Sequence, residues 1–162
     1  MAKTYEPIAT TTLGSATASY TFSSIPSTYT DLVLVTTAGN SNGSNTDIRL
    51  QFNGSSTGYS DTIVRGNGTA TTSTRETSQT SVLAGWSDTT LISNTIVSIQ
   101  NYSNATTYKS TLSRTNNVPT SYVAAVVGLW QNTAAITSLT VLSGIGNFII
   151  GSTFTLYGIK AA

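Results

Sequence analysis

The sequence contains no cysteine and no histidine. The first absence excludes disulfides and thiolate metal sites, so packing and hydrogen bonds must hold the fold. Together the two absences remove the usual ligands of zinc and iron and the base of a serine-type triad. Charge is scarce as well. Only 8% of the 162 residues are Asp, Glu, Lys or Arg, against about a quarter in an ordinary globular domain. The cations Lys3, Arg49, Arg65, Arg75, Lys109, Arg114 and Lys160 are scattered along the chain, and the net charge is +1. No basic stripe stands ready to neutralise phosphates, so neither nucleic acid nor an anionic membrane is expected as a partner. No apolar run approaches the length of a membrane-spanning helix. The first five residues lack the apolar stretch of a signal peptide. A charge this close to zero gives little repulsion between copies, which suits a subunit that sits beside others.

What fills the space left by charge is hydroxyl. Ser (23) and Thr (32) make up about a third of the chain. Helical periodicity is nearly absent. Thr, Val, Ile and Tyr recur instead in short alternating runs, which suit a pleated, half-buried surface. Ile48, Leu50 and Phe52 alternate with Asp47, Arg49 and Gln51, and Phe154, Leu156 and Gly158 with Thr153, Thr155 and Tyr157. Leu139 and Val141 mark a further run. The run Tyr122–Trp130 is apolar in both phases and predicts a central strand covered on both faces. Residues 31–35 form a second candidate of that kind. Asn42-Gly43, Asn53-Gly54 and Asn67-Gly68 supply residues that tolerate the positive φ of tight hairpins. The polar segment 66–80 reads as a long exposed loop. The expected fold is an all-β antiparallel sandwich, jelly-roll-like, of about 8–10 short strands, with residues 1–162 forming one domain.

No constellation in the sequence points to catalysis, and no cofactor or metal is expected. Gly39-Asn40-Ser41-Asn42-Gly43 has the spacing of a nucleophile elbow but neither a histidine partner nor a following helix. Gly144-Ile145-Gly146 lacks the third glycine and the βαβ setting of a dinucleotide loop. The six acids, Glu6, Asp31, Asp47, Asp61, Glu76 and Asp88, are far apart in sequence, and separate surface or turn roles are expected for them. A polysaccharide-cleaving enzyme would need two of them across one cleft. Five Asn-x-Ser/Thr sequons are close to the number chance supplies at this composition. Among the aromatics, Tyr122, Trp130 and Tyr157 are expected in the core or on sheet faces. Tyr59 and Trp86 flank the polar segment and are the candidate surface contacts, with Arg65 and Asn67 at the adjoining hairpin tip.

Several stretches carry a family resemblance. The opening Thr4-Tyr5-Glu6-Pro7-Ile8-Ala9-Thr10-Thr11-Thr12-Leu13-Gly14 leads to Tyr20-Thr21-Phe22-Ser23-Ser24-Ile25-Pro26. Ile99-Gln100-Asn101-Tyr102-Ser103 and Val127-Gly128-Leu129-Trp130 follow, and the chain closes with Gly151-Ser152-Thr153-Phe154-Thr155-Leu156-Tyr157-Gly158-Ile159. Together they resemble small β-rich structural proteins of tailed bacteriophages, many of them from aquatic hosts such as cyanobacteria. The resemblance carries no active site. It implies a virion component made in the bacterial cytoplasm and displayed on the virion surface. The leading expectation is a capsid-decorating (cement or knob) protein whose partners are the major capsid protein or other virion proteins, with a homotrimer favoured by analogy. The alternative is a tail-associated fibre or receptor-binding module that contacts host glycans through its polar loops.

Overall fold

The computed structural model describes residues 4–89, 92–117 and 121–160. Among them are twelve strands and no helix. In chain order they are β1 (Tyr5–Thr12), β2 (Ser19–Phe22), β3 (Asp31–Ala38), β4 (Thr46–Phe52), β5 (Tyr59–Gly66) and β6 (Thr71–Gln79), then β7 (Val82–Ser87), β8 (Ser93–Ile99), β9 (Lys109–Asn117), β10 (Tyr122–Trp130), β11 (Leu139–Ser143) and β12 (Thr153–Ile159).

The strands form two antiparallel sheets packed as a sandwich. The wide sheet has the order β1-β12-β3-β8-β9-β10-β5-β6, and the narrow one β2-β11-β4-β7. The pairs β3·β12, β4·β11 and β5·β10 are nested in sequence and alternate between the two sheets. That nesting is the wrap of a jelly roll. The β8–β9 hairpin departs from a four-plus-four roll by bridging β3 to β10, so eight strands share one sheet.

Alternation in the sequence becomes alternation in burial wherever one face of a strand meets the core. On β4, Ile48, Leu50 and Phe52 are fully buried while Asp47, Arg49 and Gln51 are half-exposed. On β12, Phe154, Leu156 and Gly158 point inward. The turn at Asn53-Gly54 places both residues at positive φ (52° and 66°), but it carries the chain from β4 in the narrow sheet to β5 in the wide one and does not close the hairpin expected from the sequence. The Asn53 Oδ1 then accepts hydrogen bonds from the backbone N–H groups of Thr137 and Ser138 at 2.8 and 3.1 Å, tying the turn to the loop before β11. The main core joins both sheets through Leu34, Phe52, Tyr59, Trp130, Phe148 and Phe154. Trp130 is therefore a core residue, and Tyr157 lies half-buried on a sheet face. The side chain of Tyr122 lies outside what the structure describes.

Two further expectations need correction besides the strand count. Segment 66–80 is not a long loop: a tight turn, with Asn67 N–H bonded to the Ala70 carbonyl at 3.2 Å, feeds the nine-residue strand β6. β6 is the edge of the wide sheet and exposes nearly every side chain, so its Thr and Ser residues carry no hydrophobic period. The second correction concerns β10. It is interior in the hydrogen-bonding order, between β9 and β5, yet it is covered on one face only. Ala124, Val126, Gly128 and Trp130 are buried, while Val123, Ala125 and Val127 are exposed. The narrow sheet packs against the inner face through β7, which crosses β8, β9 and β10. No described strand lies over the outer face.

Candidate functional site

Two places in the fold concentrate features beyond ordinary packing. The first is a charge cluster between the sheets. Arg49 on β4 donates from Nη1 to Asp47 at 2.9 Å and from Nη2 to Asp61 of β5 at 3.3 Å, with Glu76 of β6 at 3.8 Å. It also donates from Nε to the Ser81 hydroxyl at 2.9 Å. Four of the chain's thirteen charged residues thus meet at one point, where separate roles were expected from the sequence.

Asp61 has no exposed side-chain surface. Its Oδ1 accepts the backbone N–H of Leu83 at 3.1 Å, satisfying a donor on β7 at the rim of the narrow sheet. Burial pushes the Asp61 carboxyl up from 3.8 to about 6, against the lowering pull of the Leu83 N–H and of Arg49 and with some help from Glu76 and Asp47. A carboxyl sealed in this way cannot reach a substrate. The cluster pins β4, β5 and β6 together and is a structural feature.

The second place is the outer face of the wide sheet. Residues directly opposite in an antiparallel ladder share a face, so the register fixes what points outward. One row across the sheet reads Ile96, Arg114, Ala125, Val64 and Ser73 from β8 to β6, and the next reads Ser98, Leu112, Val127, Thr62 and Arg75. Val123 lies beyond the first row on β10. The large apolar side chains here range from 37% exposed at Ile96 to 66% at Val123. Val64, Ile96, Arg114, Val123 and Ala125 line an open concavity of about 630 Å³. Five strands at ~4.8 Å spacing and about 20 Å of strand length give a patch of roughly 480 Å². Arg114, Ser73, Ser98, Thr62 and Arg75 occupy half of the ten positions in the two rows, so the apolar part of this face is roughly half of that area.

Of the four residues singled out from sequence, Arg65 lines this concavity and the other three do not. Tyr59 is 1% exposed. Its ring stacks on Trp130 at 6.0 Å, and its hydroxyl accepts the Phe52 N–H at 2.9 Å. It is a core residue rather than a surface contact, because β5 begins opposite the end of β10 and the turn after β4 folds back over it. Trp86, 7% exposed, packs with Ile63, Leu83, Ala124 and Val126 in a second apolar cluster where β7 lies against the wide sheet. It too is removed from the surface. Arg65 and Asn67 are exposed at the β5–β6 tip. Arg65 donates from Nε to Thr72 Oγ1 at 3.2 Å. The Asn67 Oδ1 accepts from the Thr69 and Ala70 N–H groups at 3.1 and 2.8 Å, so it shapes its own turn.

The outer-face residues went unnoticed in the sequence because apolarity in both phases of a strand has two meanings. It marks a strand covered twice, or a strand covered once beside an adhesive face. The distinguishing signal lies on neighbouring strands, where Leu112 and Arg114 of β9 interrupt a run of Ser and Thr. No protein family, curated protein or solved structure matches this chain.

Proposed function

We propose that the chain is a structural protein of a tailed-bacteriophage virion, a capsid-decorating β-sandwich that binds the assembled shell and carries out no chemistry. The family assignment rests on the sequence resemblance described above. The mode of action rests on one observation: the outer face of the wide sheet is left open and gathers Val64, Ile96, Leu112, Val123 and Val127, five of the ten large apolar side chains exposed among the described residues, on a molecule with few charges. Exposed Val, Leu and Ile on a rigid sheet lose little conformational entropy when covered, and their burial favours association by about 25 cal/mol per Å² before the costs of docking. A patch of roughly 480 Å² falls below the ~800 Å² per partner of a standard stable interface. A single contact of this size is weak, and a repetitive shell that engages several linked copies raises the effective affinity. Binding only to the assembled form stabilises the shell by mass action.

The test is co-sedimentation of the purified protein with particles of the host phage and with empty shells. Saturable binding at a fixed copy number per shell is expected, together with a raised shell-disruption temperature. Antibody labelling confined to the tail would overturn decoration.

A tail-associated, glycan-contacting role is the second reading, favoured by a different feature. A polar concavity of about 530 Å³ is lined by Ser56, Thr57, Arg75, Thr77, Gln79 and Gln131, among others, groups that suit sugar hydroxyls. It ranks lower because its aromatic, Tyr59, has its ring stacked into the core, leaving no open platform for a pyranose. Binding on an array of bacterial surface glycans would promote this reading.

A further inference from the structure

We infer that Arg114 is the anchoring residue of the outer face, and that the face takes an apolar protein surface bearing carboxylates on a different chain, not a second copy of itself. The inference rests on the adhesive role proposed above and specifies its partner. Arg114 rises from the middle of the apolar face, with Ile96 and Ala125 as its direct cross-strand neighbours. Leu112 and Val127 lie one row away. The second outward cation is Arg75, and no carboxylate points outward from β5, β6, β8, β9 or β10. Among the described residues, neither arginine makes an ion pair. A guanidinium set among apolar side chains is costly to cover unless the covering surface supplies a matching acceptor, and its planar fork suits a carboxylate.

The same charges argue against self-pairing through this face. Two copies placed face to face over these five strands would bring four guanidiniums into one desolvated interface, while the outward acid of neighbouring β3, Asp31, already accepts the Asn101 N–H at 2.6 Å, and like charges opposed in this way suppress a contact. The spacing also shapes the partner. Three strand separations and one row place Arg114 and Arg75 roughly 16 Å apart, so two carboxylates at about that distance, with apolar surface between, match the pair.

The experiment uses the full chain and a random Glu–Tyr copolymer as a probe that offers carboxylates beside apolar rings, with a Lys–Tyr copolymer as the charge-reversed control. The wild-type protein should bind the first and not the second, and sediment without a dimer built on this face. R114E should weaken binding roughly tenfold or more, R114K should recover part of the loss, and V127D should also abolish tight binding. K160E, an equal charge change at an exposed cation beyond β12 and off the apolar face, should stay within about twofold. Melting curves of all variants establish that each is folded. Equal losses for K160E and R114E would overturn the inference, as would a wild-type dimer that V127D dissociates. Phage particles separate the two levels. If particles bind wild type and R114E alike, the Arg114 inference fails and decoration survives. If the copolymer pattern holds but particles bind nothing, decoration fails instead.

Discussion

Strand β10 presents two faces built from the same kinds of residue. Inward, Val126 and Trp130 sit in the core with Ala124 and Gly128, and outward, Val123 and Val127 meet solvent beside Ala125. The inner face is filled to contact: a Cβ on Gly128 would run into Val82 Cγ2 and Thr111 Oγ1. The outer face is open and shallowly concave. Apolarity therefore does separate work on the two sides, folding on one and association on the other. Changes on the two sides should fall on different measurements.

The largest effect belongs inside. Trp130→Ala removes the ring that stacks on Tyr59 and packs against Phe52, and should cost about 3–5 kcal/mol of unfolding free energy in a urea titration. Val127→Ala, three residues away on the outer face, should change stability by no more than about 0.5–1 kcal/mol. Similar losses at the two positions would erase the distinction between the faces. Next comes overpacking. Gly128→Ala should destabilise by about 1–3 kcal/mol because a methyl has no room between the sheets, whereas Ala125→Val, its outward neighbour by three residues, should be close to neutral by the same titration.

The charge cluster behind the inner face supplies a pH test. The folded Asp61 carboxyl titrates near 6 and its unfolded reference is 3.8. The native state therefore binds the proton more tightly than the unfolded chain between those values. Stability contributed by this group is fullest below the unfolded value and falls as pH rises towards 6. The melting temperature should accordingly be higher at pH 5 than at pH 7, by an amount on the order of 1–2 kcal/mol in stability. Asp61→Asn should flatten that slope. A melting temperature that climbs from pH 5 to pH 7 and is unchanged in shape by the substitution would contradict the burial assigned to this carboxyl. The smallest effect lies at the β5–β6 tip. Asn67→Ala removes the acceptor that orders residues 69 and 70 and should cost about 0.5 kcal/mol in thermal melts, with no change in association.

How much of this the sequence revealed follows from where each strand sits. β4 and β12 were legible because one phase meets the core and the other meets water. The Asn-Gly pairs were legible as turns because a left-handed backbone narrows the choice of residue, but only Asn67-Gly68 closes a hairpin, the other two joining strands of different sheets. β6 was hidden because an edge strand wet on both faces has no hydrophobic alternation to display. The two buried aromatics misled because closeness to a polar segment in sequence says little about depth. Tyr59 finds hydrogen-bond partners for its hydroxyl inside the fold, at Phe52 and Ser55, and so needs no solvent. The meeting of Asp47, Asp61 and Glu76 on Arg49 depends on the long Arg49 side chain of β4 reaching β5 and β6 of the other sheet. Short-range spacing does not encode that arrangement.

The most direct test is a reconstruction of the intact particle in which this chain can be traced. The outer face of β8, β9, β10 and β5 should be covered by another protein, with Val123 and Val127 out of solvent and a carboxylate within hydrogen-bonding distance of Arg114. A particle in which the chain is bound through other surfaces and this face remains wet would contradict the account.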